Sequence, residues 1–421
     1  MRIIADLHVH SKYSRATSSD MHVEKLNYWA KLKGINVIGT GDFTHPLYFT
    51  ELKQKLEPAE PGLYKFKHEN SGVRFLLTTE ISNIFNTDRG VKKIHTLILA
   101  PDLNIVEKIN TKLGMYGKLS SDGRPIFGFN VRELVKLVLD ISPDCLIVPA
   151  HAWTPWFSIF GSKSGFDAIV ECFGNEAKFI YAIETGLSSD PSMNWRISAL
   201  DKVSLISNSD AHSPGKIGRE ANVFNCELDY YDIVKTIKEK NKEKFLFTIE
   251  FFPEEGKYHL DGHRVCNVSM LPKESIKNNN RCPVCKREIT VGVLHRVEEL
   301  ADREDGFIPE NAIPEKHFVP LEEIIAEALE VKTGTKRVEE EYMKIVNAGG
   351  SELSVLMDLP VSDLTRIAPA KVAEGIKNAR EGRVSRIGGY DGVYGKISVF
   401  PSGPGEEEKE QPENKQMKLF I

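Results

Sequence analysis

The sequence predicts an α/β fold in which a parallel sheet or barrel carries its chemistry at the strand ends. Three observations predict it. Short apolar runs recur through the first part of the chain, and each ends at a residue able to bind a metal. Stretches of helical length separate the runs. The runs themselves are too short for helices and too uniformly apolar for strands with one wet face. In barrels of this kind the site sits at the carboxyl ends of the strands.

The first run, Ile3 to Ala5, leads into Asp6, His8 and His10. Side chains two residues apart on a strand share a face, so these three are expected to point one way, and two imidazoles at that spacing can grip one ion. The helix expected next covers His22 to Lys33 and stops at Gly34. Later runs reach Asp42 with His45 beyond it, Glu80, His95, His151, Glu184, and finally Asp210 with His212. Any one of these could be an ordinary hydrogen-bonded loop residue. Packing does not explain the joint placement of His8, His10, Glu80, His151, Asp210 and His212, and a shared metal site does.

The motifs Asp6-Leu-His-Val-His-Ser, Thr79-Glu80, Pro149-Ala-His151 and Asn208-Ser-Asp-Ala-His-Ser resemble those of the polymerase-and-histidinol-phosphatase (PHP) domain. The resemblance implies a distorted (β/α)7 barrel over residues 1–252 with a phosphoesterase site of two or three divalent ions (Zn, Mg or Mn). It implies His8, His10, Glu80 and Asp210 as ligands of one ion. Glu80 would bridge to a second ion held by His95 and His151, and His212 would belong to a third. Two departures fall on that third site. The family's Thr-Asp-His run reads Gly41-Asp42-Phe43-Thr44-His45, and Arg15 stands where an acid or histidine is expected. The site is then absent, or rebuilt from Asp42 or His45. Arg15 could instead clamp a phosphate oxygen, which adds it to Asp210 and His151 as a candidate catalytic group.

The 421-residue length allows two or three domains. A net charge of -5 leaves any nucleic-acid surface to a local basic patch. No charged-then-apolar leader opens the chain and no apolar run reaches a membrane span. With six cysteines at metal-like spacings, this predicts a reduced, cytoplasmic protein. Lys53 to Gly72 reads as a polar insertion on the catalytic face, and Arg89–Lys93 and Lys112–Arg124 as basic loops. After His151, Trp153, Trp156, Phe157 and Phe160 crowd one segment. It reads either as a folded loop core or as a wall on which a nucleobase stacks. Lys216 and Arg219 offer phosphate contacts, or a solvated surface.

Residues 253–300 read as a small zinc-binding unit. His263-x-x-Cys266 and Cys282-x-x-Cys285 share one spacing, and two such pairs make a closed structural site. His259 competes for the fourth position, and His295 is a weaker candidate. A unit of ~40 residues buries too little surface alone and draws folding energy from its metal. Residues 301–400 read as helical. The segment from Pro360 to Arg380 is similar to helix-hairpin-helix DNA-binding units, with Ala368-Pro-Ala in place of their Gly-x-Gly turn. Lys371, Lys377 and Arg380 there form a basic cluster that DNA or plain solvation explains equally. Residues 401–421 are rich in Pro, Gly and Glu, the composition of a disordered tether. They end in Gln416-Met-Lys-Leu419-Phe420-Ile, which resembles the bacterial sliding-clamp-binding motif.

As a whole the chain resembles the endonuclease Q family, DNA-repair nucleases that join a PHP barrel to zinc-binding and helical pieces. That resemblance implies a DNA endonuclease in which metal-activated water cuts the phosphodiester 5′ to a deaminated base (hypoxanthine or uracil) or an abasic site. Damaged DNA and the sliding clamp would be its partners. Two other readings stand beside it: a small-molecule phosphatase, which leaves the C-terminal units without a role, and a non-catalytic DNA-binding adaptor, which does not need so complete a ligand set.

Overall fold

The computed structural model describes residues 1–69 and 71–400. The clamp-motif residues Gln416, Leu419 and Phe420, and the tether that carries them, lie outside the described residues. Seven strands make the barrel: β1 (Arg2–Asp6), β2 (Val37–Gly39), β3 (Arg74–Thr87), β4 (Gly90–Ala100), β5 (Leu146–Pro149), β6 (Ala182–Glu184) and β7 (Ser204–Ile206). Three more, β8 (Ala221–Asn225), β9 (Phe245–Glu250) and β10 (Glu315–His317), extend the sheet outward from β1.

β1, β2 and β3 are parallel, with Ala5 beside Val37 and Val37 beside Arg74. β6 and β7 are parallel too. The parallel pattern is interrupted at β4, which runs antiparallel to both β3 and β5. The cause is local. Thr87 pairs with Gly90 across a two-residue turn, and a hairpin that tight can only join antiparallel strands. Arg89 to Lys93, read as a basic loop, is therefore this turn and the start of β4. β8 is antiparallel to β1 and to β9, and β10 is parallel to β9. The result is a distorted (β/α)7 barrel carrying a mixed sheet.

The first crossover helix is Val23–Lys33, and Gly34 ends it at φ 90°, in the left-handed region open to glycine. Part of the stretch read as a polar insertion lies in regular structure. It continues the helix Pro46–Lys55 into a hairpin, Leu56–Pro58 with Tyr64–Phe66, which adds to the sheet beside β3. Leu7, Val37, Leu76, Leu97, Leu146 and Ile206 pack into one buried cluster among the barrel strands. Their Leu and Val content is what strands buried on both faces require. Cys145, Cys172 and Cys226 are free and buried.

The hairpin Asp261–His263 with Val268–Met270 begins the cysteine-rich unit, whose own apolar core is small: Met270, Cys282 and Ile289. The C-terminal helices are Leu321–Ala328, Lys336–Gly349, Val361–Ile367 and Ala370–Arg380. The last two, joined through Ala368 and Pro369, reproduce the expected pair of helices around a turn. These units share structure with the barrel, because β10 joins its sheet and Leu321, Ile345 and Leu364 belong to the same core cluster as Ile4 and Ile38. No helix among the described residues is long and apolar enough to cross a membrane.

Candidate metal centre

Two groups of ligand-ready atoms meet at the barrel rim. His8, His10 and Asp210 form one, and Glu80, His95 and His151 the other, with the ligand atoms of each group within 4.8 Å of one another. Glu80 joins them. Its Oε2 lies 3.3 Å from His10 Nε2, while its Oε1 lies 2.8 Å from His95 Nδ1 and 3.1 Å from His151 Nε2. Asp210 Oδ1 lies 3.0 Å from His10 Nε2 and 3.7 Å from His8 Nε2.

Among the described residues, His8 Nε2, His10 Nε2 and Asp210 Oδ1 are buried without a hydrogen-bond partner. Polar atoms left in that state cost free energy unless something binds them. Imidazole and carboxylate donors converging in this way fit divalent ions, so the residues present suit the metal that the fold implies.

A second layer holds these ligands. Glu184 Oε2 lies 3.0 Å from His8 Nδ1, and Asp42 Oδ1 lies 3.1 Å from His10 Nδ1. A carboxylate behind an imidazole fixes its tautomer and turns Nε2 toward the ion. Asp42 therefore stands behind His10, outside both ligand groups. Its Oδ2 already accepts from the Ser11 N–H at 2.6 Å, the Ser11 hydroxyl at 2.7 Å and the Ser14 hydroxyl at 2.8 Å. Nor does His45 join either ligand group: its ring stacks on Tyr13 at 4.2 Å. His212 packs its ring 4.5 Å from His10 and turns Nδ1 to the Asp210 carbonyl at 2.8 Å, outside both groups. Asp6 belongs to neither ligand group. It accepts from the Ser209 and Gly218 N–H groups, and burial raises its pKa to about 6.

Backbone geometry at the rim is unusual. Asp42, His151 and Asp210 take φ values of 42°, 29° and 47°. Non-glycine residues rarely adopt such angles, and they concentrate at functional sites. Burial lowers the His95 pKa to about 4, with Arg124 and His151 adding to the effect against Glu80. The ring is then neutral and free to donate a lone pair. Burial opposes charge on Asp210, but His10 and His8 outweigh it and hold the carboxyl below its ordinary range.

The guanidinium at this centre is that of Arg124. It donates to Glu80 Oε2 at 2.8 Å. Arg15, the sequence candidate, has a side chain 87% exposed and lies 4.0 Å from Asp122. Sequence reading registered Arg124 only as part of a basic loop. Its signal was Gly123: a Cβ there would lie 2.3 Å from Asp42 Oδ2 and 2.4 Å from Ser14 Oγ, so only glycine lets this loop press against the centre.

The aromatic segment after His151 divides. Trp153 is 1% exposed and donates to Asn194 Oδ1 at 2.8 Å, so it and the buried Phe160 are loop core and the base-binding assignment of Trp153 is withdrawn. Trp156 is 46% exposed, and Phe157 lies 4.6 Å from His95 between ring centres. A cavity of about 570 Å3 opens beside the loops that follow His151 and Glu184, lined by Thr154, Ser188, Arg219, Glu255, Tyr258 and His259 among others. A larger groove of about 1110 Å3, between the helices Leu103–Leu113 and Val131–Ile141, carries none of the ligand residues.

Three of the expected DNA contacts are tied up within the protein. Lys216 binds Glu322 at 2.7 Å. Arg380 donates to the carbonyls of Leu356, Leu359 and Val355 at 2.8, 2.6 and 2.7 Å. Arg219 donates to the Ser209 carbonyl at 2.9 Å while still lining the cavity. Lys371 and Lys377 are exposed, with Lys371 3.0 Å from Glu330.

In the cysteine-rich unit, His263, Cys266, Cys282 and Cys285 bring one ligand atom each within 4.8 Å of the others. His259 stands outside that group at the cavity wall, and His295 pairs with Asp261 at 2.5 Å. Burial opposes ionisation of Cys282, but the Cys285 and Val284 N–H groups hold its thiol at about 6, in the range where a thiolate is available.

A lesion-specific endonuclease from Pyrococcus furiosus, PfuEndoQ, superposes with a TM-score of 0.84 at 33% identity over 94% of this chain and 95% of that one. An endonuclease Q in complex with a 27-mer duplex bearing an abasic lesion superposes at 0.82, also at 33% identity, over 94% of this chain and 96% of that one. The protein YqxK of Bacillus subtilis is 29% identical over 412 residues, 94% of this chain and 99% of that protein. The protein MJ0043 of Methanocaldococcus jannaschii is 35% identical over 258 residues, which are 60% of this chain but only 32% of that longer protein. Residues 320–383 match the family model of the MJ0043 C-terminal domain. One third of the aligned residues shared with PfuEndoQ, in an alignment that runs nearly the full length of both chains, makes this chain a member of the endonuclease Q family.

Proposed function

We propose that this protein is a metal-dependent DNA-repair endonuclease that cuts a phosphodiester on the 5′ side of a deaminated base or an abasic site. The observation that carries the reading is the complete double ligand group bridged by Glu80, in a chain similar over its length to a lesion-specific endonuclease. The structure of a relative with an abasic duplex at its active site supports DNA as substrate.

Divalent ions held by these residues would make hydroxide available near neutral pH and offset charge that develops on the phosphate. The rest is the work of the chain. His8 and His10 present Nε2 because Glu184 and Asp42 hold Nδ1. Glu80 ties the two ligand groups at one spacing. Arg124 sets a fixed positive charge beside them, where it can meet a phosphate oxygen. None of these roles requires a Cys or Ser nucleophile.

The cavity beside the centre is the place for an extruded base. Tyr258 lines it and the Trp156 ring centre lies 6.5 Å from that of Tyr258, and stacking suits a pocket that accepts more than one lesion. His263, Cys266, Cys282 and Cys285 hold a structural zinc that orders the unit carrying Tyr258 and His259. The segment Gln416 to Ile421 docks on the sliding clamp, and its removal should abolish clamp pull-down while leaving cleavage intact.

The primary test uses end-labelled duplexes with one hypoxanthine, uracil, abasic site or normal base, incubated with Mg²⁺, Mn²⁺ or Zn²⁺. A single nick 5′ to the lesion, absent from the normal duplex and lost in Asp210→Ala and His151→Ala proteins that remain folded, is the expected result. Stepwise shortening, or cleavage retained in both variants, overturns it.

A further inference from the structure

A third cluster of metal-capable side chains lies away from the barrel centre and from the cysteine unit. Asp190, Glu315 and His317 bring one ligand atom each within 4.8 Å of one another. Glu315 and His317 alternate on β10, so they share a face, and Asp190 comes from the loop after β6. The three are held in place. Asp190 Oδ1 accepts from the Met193 N–H at 2.8 Å and the Ser192 hydroxyl at 2.7 Å, capping the short helix Pro191–Trp195. That leaves Oδ2 directed to His317, whose Nε2 is 3.3 Å away. Glu315 Oε2 accepts from the Ser192 N–H at 3.1 Å.

The contacts within the cluster are incomplete. Despite its nearness to Asp190, His317 Nε2 is a buried atom with no hydrogen-bond partner among the described residues. The neighbours make matters worse. Glu250 pairs with His317 in the β9–β10 register and is fully buried, and its Oε1 also has no partner. Ala221 pairs with Ile249, so one step further Glu220 faces Glu250. It too is fully buried, with both carboxyl oxygens unpartnered. Asp190, Glu315 and Glu250 are thus the carboxyl groups that neighbour His317. Glu250 Oε1 and His317 Nε2 are buried polar atoms without a hydrogen-bond partner among the described residues, and such atoms cost free energy unless something binds them.

We propose that Asp190, Glu315 and His317 bind a divalent transition-metal ion, of the Zn²⁺ or Mn²⁺ class, at a structural site separate from the nuclease centre. One imidazole nitrogen with two carboxylates selects such ions over Ca²⁺ or Mg²⁺, which take oxygen donors alone. The site has a mechanical consequence. Asp190 follows directly on the loop whose Leu187 and Ser188 line the cavity beside the centre. The other two ligands sit on β10, which joins the C-terminal part of the chain to the barrel sheet. An ion here pins the cavity wall to that strand.

The test is crystallographic, with a solution check. Crystals of the full chain grown with Zn²⁺ are measured above and below the zinc absorption edge. The expected result is an anomalous peak ~2.0–2.2 Å from His317 Nε2 and from the Asp190 and Glu315 carboxylates, beside the peaks at the barrel and cysteine sites. In solution, metal content per chain should fall by one equivalent in His317→Ala, and equally in Glu315→Gln should the first variant fold poorly. The cysteine-bound ion serves as internal reference. No peak at these residues while the other two sites are filled overturns the proposal, as does unchanged metal content in folded variants. Either outcome would leave His317 as the ion-pair partner of Asp190.

Discussion

Arg124 and His95 divide one carboxylate between them. The guanidinium donates to Glu80 Oε2 at 2.8 Å, and the imidazole Nδ1 lies 2.8 Å from Glu80 Oε1. Arg124 thereby keeps its charge at the junction of the two ligand groups without filling a ligand position. Arg124→Ala should lower single-turnover cleavage by on the order of 10²-fold, the scale for loss of one fixed electrostatic contact. Arg124→Lys should recover part of that, since it restores charge but not the planar fork. A quench-flow comparison of the three proteins at saturating metal decides it, and an unchanged rate in Arg124→Ala would remove the residue from the site.

Gly123→Ala tests how the loop is seated. The added methyl would sit 2.3 Å from Asp42 Oδ2 and 2.4 Å from Ser14 Oγ. Overpacking on this scale costs ~1–3 kcal/mol, and it displaces the carboxylate that orients His10. Thermal unfolding should show a lowered Tm, and metal affinity at the barrel should drop ~10–100-fold. A variant with wild-type Tm and affinity would mean that the loop yields freely.

Glu255 offers a pH test at the cavity. Burial, then the nearby Glu323, raises its pKa to about 8, against ~4.3 in an unfolded chain. The folded protein therefore holds a proton there that the unfolded chain releases, and this residue makes stability fall as pH rises between those two values. Glu255→Gln removes the loss. Denaturant unfolding should show the variant gaining on wild type from about pH 4.5 to 8, up to a few kcal/mol, and then levelling. A difference independent of pH would place Glu255 in ordinary solvent.

The cavity itself can be tested by substrate. Trp156→Ala and Tyr258→Ala should each weaken binding of uracil or hypoxanthine duplexes by ~1–3 kcal/mol, the usual worth of one base–aromatic stack. An abasic duplex, with no base to stack, should lose little. Equal losses on all three substrates, measured by fluorescence anisotropy without metal, would place the base elsewhere.

Much of this centre was legible in the chain, because apolar runs that stop at His, Asp or Glu are visible without coordinates. His8, His10, Glu80, His95, His151 and Asp210 were all read that way, and the structure gathers them. Glu184 also fitted the pattern, but its task, holding His8, was invisible. Arg15 was singled out because it stands where the resemblance expects an acid or histidine after His10, whereas Arg124 reaches Glu80 from 44 residues away. Trp153 and Trp156 look alike as letters three apart. Burial alone makes one a core residue and the other a surface.

The sequence by itself determined the barrel strands, the ligand types at their ends and the paired spacing of the cysteine unit. Each of these is a local property: strand periodicity, a donor atom or a short interval. Tertiary structure decided which donors face the ions and which stand behind them, as Asp42 shows. It also brought Asp190 against Glu315 and His317, more than a hundred residues along the chain. Such choices depend on which surfaces meet when distant segments pack, and no local property of the chain encodes the approach of two atoms that far apart in sequence.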